Sequence, residues 1–137
     1  MALQAYSLAR DGSTALSPHF HVREFRCRDG SDPVFVDTAL VELLERIREH
    51  FGRAVAVTSA YRTPAHNAKA GGAKFSQHLY GRAVDIRVQG VSVEDVAAYA
   101  ESLLPDCGGI GRYPVKAGRA TGWVHLDTRA EKARWRG

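Results

Sequence analysis

The stretch Ser76-Gln77-His78-Leu79-Tyr80-Gly81-Arg82-Ala83-Val84-Asp85-Ile86-Arg87-Val88 carries the reading of this chain. From Arg82 onward it alternates with a period of two, which is the side-chain period of a β-strand. Val84, Ile86 and Val88 point one way, and Ala83, Asp85 and Arg87 point the other. A strand is therefore predicted over 81–88, with an apolar core face and an acidic residue on the opposite face. Gly81 permits a tight turn into it. Trp123-Val124-His125-Leu126-Asp127 repeats the pattern: Val124 and Leu126 take the core face, while Trp123, His125 and Asp127 share the other.

The rest of the chain supplies layers for these strands. Leu40, Leu44, Ile47 and Phe51 recur at helical spacing, with Val41 and Leu43 widening the stripe, so a helix is predicted over 37–51 and stopped by Gly52. The β-branched run Ala54 to Ser59 reads as a strand, followed by a turn through Tyr61 to Pro64 and then a short helix and loop over 65–77. Ser92 is placed to cap a helix reaching Leu104, with Val93, Val96, Ala97, Ala100, Leu103 and Leu104 on its buried side. Ile110 to Tyr113 and Gly122 to Asp127 read as closing strands. Residues 1–33, rich in Ser, Gly, Asp and Pro, are predicted to form an irregular N-terminal layer with a few short elements, anchored by Phe20, Val22 and Phe25. The expected fold class is α+β, a small antiparallel sheet flanked by helices, in one domain over 1–137.

Composition narrows the function classes. The chain has 137 residues, 45% hydrophobic and 25% charged, in line with a soluble globular domain that buries roughly two-thirds of its unfolded surface. No run approaches the ~20 apolar residues of a membrane-spanning helix, and the N-terminus lacks a signal-peptide pattern. A net charge of +4 favours an anionic partner, but the arginines are dispersed and no basic block or aromatic–basic alternation points to nucleic acid. Cys27 and Cys107 form no Cys-x-x-Cys motif and are expected to be structural thiols.

The two strands each expose a metal-capable side chain away from the core, and His78, seven residues before Asp85, lies in a loop able to fold back over the same face. Two imidazoles and a carboxylate, with a fourth position left to water, make a catalytic type of zinc site. Such an ion brings the pKa of its water to about 7 and polarises a scissile carbonyl.

Ser76-x-His78-x-x-Gly81-x-Ala83-x-Asp85 resembles the signature of zinc D-Ala-D-Ala carboxypeptidase-type metallopeptidases, the superfamily that includes the D,D-dipeptidases and the hedgehog domain. Trp123 to Asp127 resembles the second signature of their phage-lysin and murein endopeptidase branch. Ser59-Ala60-Tyr61-Arg62, His66-Asn67, Gly71-Gly72 and Gly108-Gly109-Ile110-Gly111 extend the likeness over most of the chain. The resemblance implies one zinc ion held by His78, Asp85 and His125. It makes Arg62 an oxyanion stabiliser or a holder of substrate carboxylate, and Ser76 either a substrate contact or a loop cap. The acidic general base that many relatives carry three residues before the last histidine is replaced here by Gly122. Asp127 is the nearest substitute, either as general base or as a residue that orients a ligand by hydrogen bond.

The expected activity is zinc-dependent hydrolysis of an amide bond in peptidoglycan stem peptides or cross-links, by a monomer of carboxypeptidase, murein endopeptidase or endolysin type. Its place of action is the cell wall, periplasmic, extracellular or reached after phage release, with no nucleic-acid partner and no membrane insertion. The alternative is a catalytically inactive, zinc-stabilised binding domain of the same fold.

Overall fold

In the computed structural model, which describes residues 2–137, the chain begins with strand β1 (Leu3–Ser7), the single turn α1 (Leu8–Asp11) and the short strands β2 (Ala15–Ser17) and β3 (Phe20–His21). A 3-10 turn over Val22–Phe25 leads to β4 (Pro33–Asp37), helix α2 (Thr38–Phe51), β5 (Val55–Ser59) and α3 (Pro64–Lys69). A second 3-10 turn, Gln77–Tyr80, precedes β6 (Ala83–Val88), α4 (Val93–Leu103), β7 (Gly109–Tyr113), β8 (Trp123–Asp127) and β9 (Ala133–Arg136). The fold is α+β, as the periodicities predict. Its centre is a five-stranded sheet in the order β5-β6-β8-β7-β9, flanked by the strand pairs β1-β4 and β2-β3. No helix among the described residues is long and apolar enough to cross a membrane.

Both long helices form for the local reasons visible in the sequence. The Asp37 side chain accepts from the Ala39 amide to cap α2, and Gly52, at φ +62°, ends it by donating its N–H to the Arg48 carbonyl. Ser92 caps α4 by accepting from the Asp95 amide. The stripes Leu40, Leu44 and Ile47 of α2 and Val96, Ala97 and Ala100 of α4 are buried in one core with Val84, Ile86, Val88, Ile110, Val124 and Leu126 of the sheet. One face of the sheet is thus sealed by helices, and the polar residues of β6 and β8 stand on the other.

Two regions go beyond the sequence expectation. The N-terminal layer, expected to be irregular with a few short elements, holds three strands and two short helical turns among its described residues: β1 pairs with β4 from Leu3↔Asp37 to Ser7↔Pro33, and the expected anchors Phe20, Val22 and Phe25 are all buried. The β1 residues are mostly exposed, so the strand lacks an alternating pattern and exists by virtue of a partner thirty positions away. The second difference is β9, which runs parallel to β7, so the main sheet is not purely antiparallel.

Asp37 joins three parts of the structure. Beyond capping α2, it donates its amide to the Gly81 carbonyl at 2.9 Å and accepts from Thr128 Oγ1 at 2.8 Å, linking the helix to the entry of β6 and the exit of β8. Gly81 sits at φ +69°, where an added Cβ would lie 2.5 Å from the Phe35 carbonyl oxygen, so only glycine fits this junction. We expect Asp37→Ala to destabilise the metal-free protein by about 2 kcal/mol, through loss of the cap and of the partner of the half-buried Thr128 hydroxyl. Asp37→Asn, which can keep both contacts, should cost less. Urea unfolding of the two variants measures the difference.

Candidate metal centre

The strand registers assemble the site as a row across the sheet. Asp85 of β6 stands opposite Ser59 of β5 on one side and His125 of β8 on the other. The row continues from His125 through Gly111 of β7 to Trp135 of β9. His78 reaches the row from the 3-10 turn before β6, where Ser76 Oγ accepts from the His78 amide at 3.2 Å and caps the turn. The structure therefore brings His78, Asp85 and His125 together, with one donor atom from each lying within 4.8 Å of the others.

The orientation of each imidazole is fixed from behind. His78 Nδ1 lies 2.7 Å from the Ala60 carbonyl oxygen, which can only accept, so Nδ1 carries the proton and Nε2 faces Asp85 Oδ1 at 3.5 Å. His125 uses the opposite pair: Nε2 lies 2.7 Å from Asp127 Oδ2 and Nδ1 lies 3.1 Å from Asp85 Oδ1. Each ring thus spends its outer nitrogen on a fixed acceptor and turns its inner nitrogen toward a shared centre. That is the arrangement that orients histidine ligands at metal sites. Two imidazole nitrogens and a carboxylate suit a zinc ion, and all three residues are more than nine-tenths buried.

Electrostatics reinforce the centre. Burial pushes the Asp85 carboxyl up, but hydrogen bonds from His125 and His78 outweigh it and hold the group well below the usual carboxylate range. Burial likewise lowers His125, yet the bonds to Asp127 and Asp85 outweigh it and raise the imidazole above its ordinary value. A cation held between Asp85 and His125 would take the place of a proton on Nδ1.

Asp127 stands behind His125 and makes every contact there with protein groups. Its side chain is fully buried; Oδ1 accepts from the Gly109 amide at 2.9 Å and from Arg129 Nε at 2.8 Å, and Oδ2 accepts from Arg129 Nη2 at 2.7 Å as well as facing His125. Burial raises this carboxyl, but His125 and Arg129 bring it well below the usual range, which makes it a weak proton acceptor. Of the two roles expected for Asp127, general base or residue that orients a ligand, this geometry matches the second: the carboxylate sits behind His125 and does not line the cleft. Gly109 makes the packing possible, because a Cβ there would lie 2.2 Å from Asp127 Oδ2. Nor does Gly122 face the cleft, since a Cβ on it would meet the Tyr113 carbonyl oxygen and Val93 Cγ2.

Arg62 lines the cleft, beside the Asp85 carboxylate. Nη2 is 3.6 Å from Asp85 Oδ2, Nε donates to Ser59 Oγ and Nη1 to Asn67 Oδ1, both at 3.2 Å. Asn67 is itself held by donating to the Ala73 carbonyl at 2.9 Å. The cleft, of about 500 Å³, is lined by Arg62, Ser76, the three candidate ligands and the 70–77 segment on one side, and by an aromatic wall on the other. In that wall Tyr113 and Trp123 stack at 4.8 Å, Trp135 Nε1 donates to Tyr113 Oη at 2.8 Å, and the Trp135 ring lies 4.9 Å from that of His125. Sequence reasoning missed Tyr113, Trp135 and Arg129. The only signal for Trp135 is the alternation of Ala133 and Trp135 with Arg134 and Arg136. Among the described residues, Asp85 is the sole carboxylate lining the cleft.

Comparison with known proteins agrees with this geometry. The family model described as Peptidase M15 matches residues 18–127. The chain is 35% identical over 88 residues to the probable peptidoglycan L,D-endopeptidase MepK of Haemophilus influenzae, a match covering 61% of this chain and 43% of that protein. The chain thus spans less than half the length of this curated relative.

If Asp127 acts by holding His125, Asp127→Asn should leave the chain folded and weaken zinc binding by about 10- to 100-fold, read by competition against a chromophoric chelator. Unchanged affinity would separate Asp127 from the metal centre.

Proposed function

The chain belongs to the Peptidase M15 family, and on that premise we propose that it hydrolyses an amide bond in peptidoglycan stem peptides or their cross-links, using one zinc ion held by His78 Nε2, Asp85 and His125 Nδ1. The observation that carries the proposal is the opposed pinning of the two imidazoles by Ala60 and Asp127, which leaves three unlike donors facing one point. A bound zinc ion supplies a water whose pKa is lowered to about 7 and a Lewis acid for the scissile carbonyl.

The protein's own groups do the rest. Arg62, fixed by Ser59, Asn67 and Asp85, presents a rigid cationic fork to the oxygen on which negative charge develops, or to a carboxylate of the stem peptide. Asp127 and Arg129 hold His125 in one tautomer, so the ligand needs no reorganisation during turnover. Tyr113, Trp123 and Trp135 form a flat apolar wall against which a peptide can lie. Likeness to a probable L,D-endopeptidase favours internal cleavage over removal of a terminal residue. The net charge of +4 suits a polyanionic wall, at which the protein acts as a monomer.

A second reading, a zinc-stabilised binding domain without catalysis, draws on one observation: apart from Asp85 the cleft offers no carboxylate to accept a proton. Incubation with isolated peptidoglycan, with and without chelator, separates the two. We expect chelator-sensitive fragments with new amine termini by mass spectrometry, lost in His125→Ala. Arg62→Ala should keep zinc while kcat falls about 100- to 1,000-fold. Stoichiometric zinc with no cleavage of any wall type or stem peptide would establish the binding domain instead.

A further inference from the structure

We propose that Cys27, Asp29 and His66 form a second zinc site, separate from the cleft, at which a metal ion clamps the N-terminal layer to α3. One donor atom from each of the three residues lies within 4.8 Å of the others. They come from two pieces of chain distant in sequence: Cys27 and Asp29 follow the first 3-10 turn, and His66 lies in the first turn of α3. Cys27 is fully buried, and both it and Cys107 are free thiols.

Thr63, the N-cap of α3, organises the cluster. Its amide donates to Cys27 Sγ at 3.5 Å, its hydroxyl donates to Asp29 Oδ2 at 2.9 Å, and the same oxygen accepts from the His66 amide at 3.2 Å. The Ser31 amide donates to Asp29 Oδ1 at 2.9 Å, and Ser31 above all holds this carboxyl below its ordinary value. The donors are thus a buried sulfur, a half-buried imidazole and an exposed carboxylate. Sulfur with imidazole selects zinc over the hard cations, and the exposed side leaves the fourth position to water. Ordinary core packing explains a buried cysteine but not its convergence with an aspartate and a histidine.

The clamp bears on the cleft through α3. Asn67, next to His66, is the residue that holds Arg62 Nη1. Metal at the second site therefore supports the position of Arg62 without sharing a donor with His78, Asp85 or His125.

Cobalt(II) substitution tests this in the full chain and independently of any catalytic reading, because the cleft contains no cysteine. In a variant carrying His78→Ala and His125→Ala, we expect one tightly bound equivalent of cobalt with a thiolate-to-metal charge-transfer band in the near ultraviolet, and two equivalents in the unmodified chain. Adding Cys27→Ser should abolish the band. Should that substitution disturb the core, His66→Ala, on the half-exposed side, serves the same purpose and should weaken the remaining site at least about tenfold. A single equivalent without a thiolate band in the unmodified chain, or a band that survives Cys27→Ser, would overturn the proposal.

Discussion

The antiparallel pairing of β6 with β8 is the constraint from which the site follows. It sets Asp85 opposite His125 and, in the same register, Val84 opposite Leu126 and Ile86 opposite Val124. These four apolar side chains are buried under α2 and α4, so the helices that seal the core also set which polar residues meet on the far face. A slip of β8 by one residue would turn its two, Val124 and Leu126, outward. At ~1.5–3 kcal/mol for each such side chain, the loss is roughly 3–6 kcal/mol, a large share of the whole stability of an ordinary domain at ~5–15 kcal/mol. Hydrophobic burial, rather than any metal ion, therefore holds Asp85 and His125 face to face.

The polar side of the sheet has a cost of its own, because two carboxylates and two imidazoles are taken out of water there. The structure offsets it by leaving no member unpartnered. Asp127 is satisfied by Arg129, Gly109 and His125, and His78 by Ala60. Asp85 is bracketed by Arg62 and the two rings. The residues that look incidental in the sequence carry this arrangement. Gly109 gives the Asp127 carboxylate room, and Arg129, two positions beyond it, keeps that carboxylate ionised and turned toward His125 Nε2.

Much of this was legible in the sequence wherever a short-range periodicity decides the outcome. The period of two in 82–88 and 123–127 separates core from site face without knowledge of the rest of the fold, and the apolar stripe of 37–51, followed by Gly52, marks α2 and its end. What escaped depends on partners far along the chain. β1 exists because β4 pairs with it, and β9, with Arg134 and Arg136 at alternate positions, has no apolar run to announce it. Periodicity also stops at the face: it put Asp127 beside His125 but could not say that its carboxylate lies behind the ring, which is settled by a rotamer and by Arg129. The same parity explains Gly122. It stands an odd number of residues from His125, so its Cβ direction is toward Val93 and the helix layer.

The two histidines turn different inner nitrogens toward the shared centre, Nε2 of His78 and Nδ1 of His125, and this asymmetry is specific to the site. A crystal structure of the zinc-loaded protein with anomalous data at the zinc edge tests it most directly. We predict a peak about 2.0–2.2 Å from His78 Nε2, a carboxylate oxygen of Asp85 and His125 Nδ1, with His125 Nε2 still bonded to Asp127. A zinc ion on His125 Nε2, or none between these residues, would contradict it.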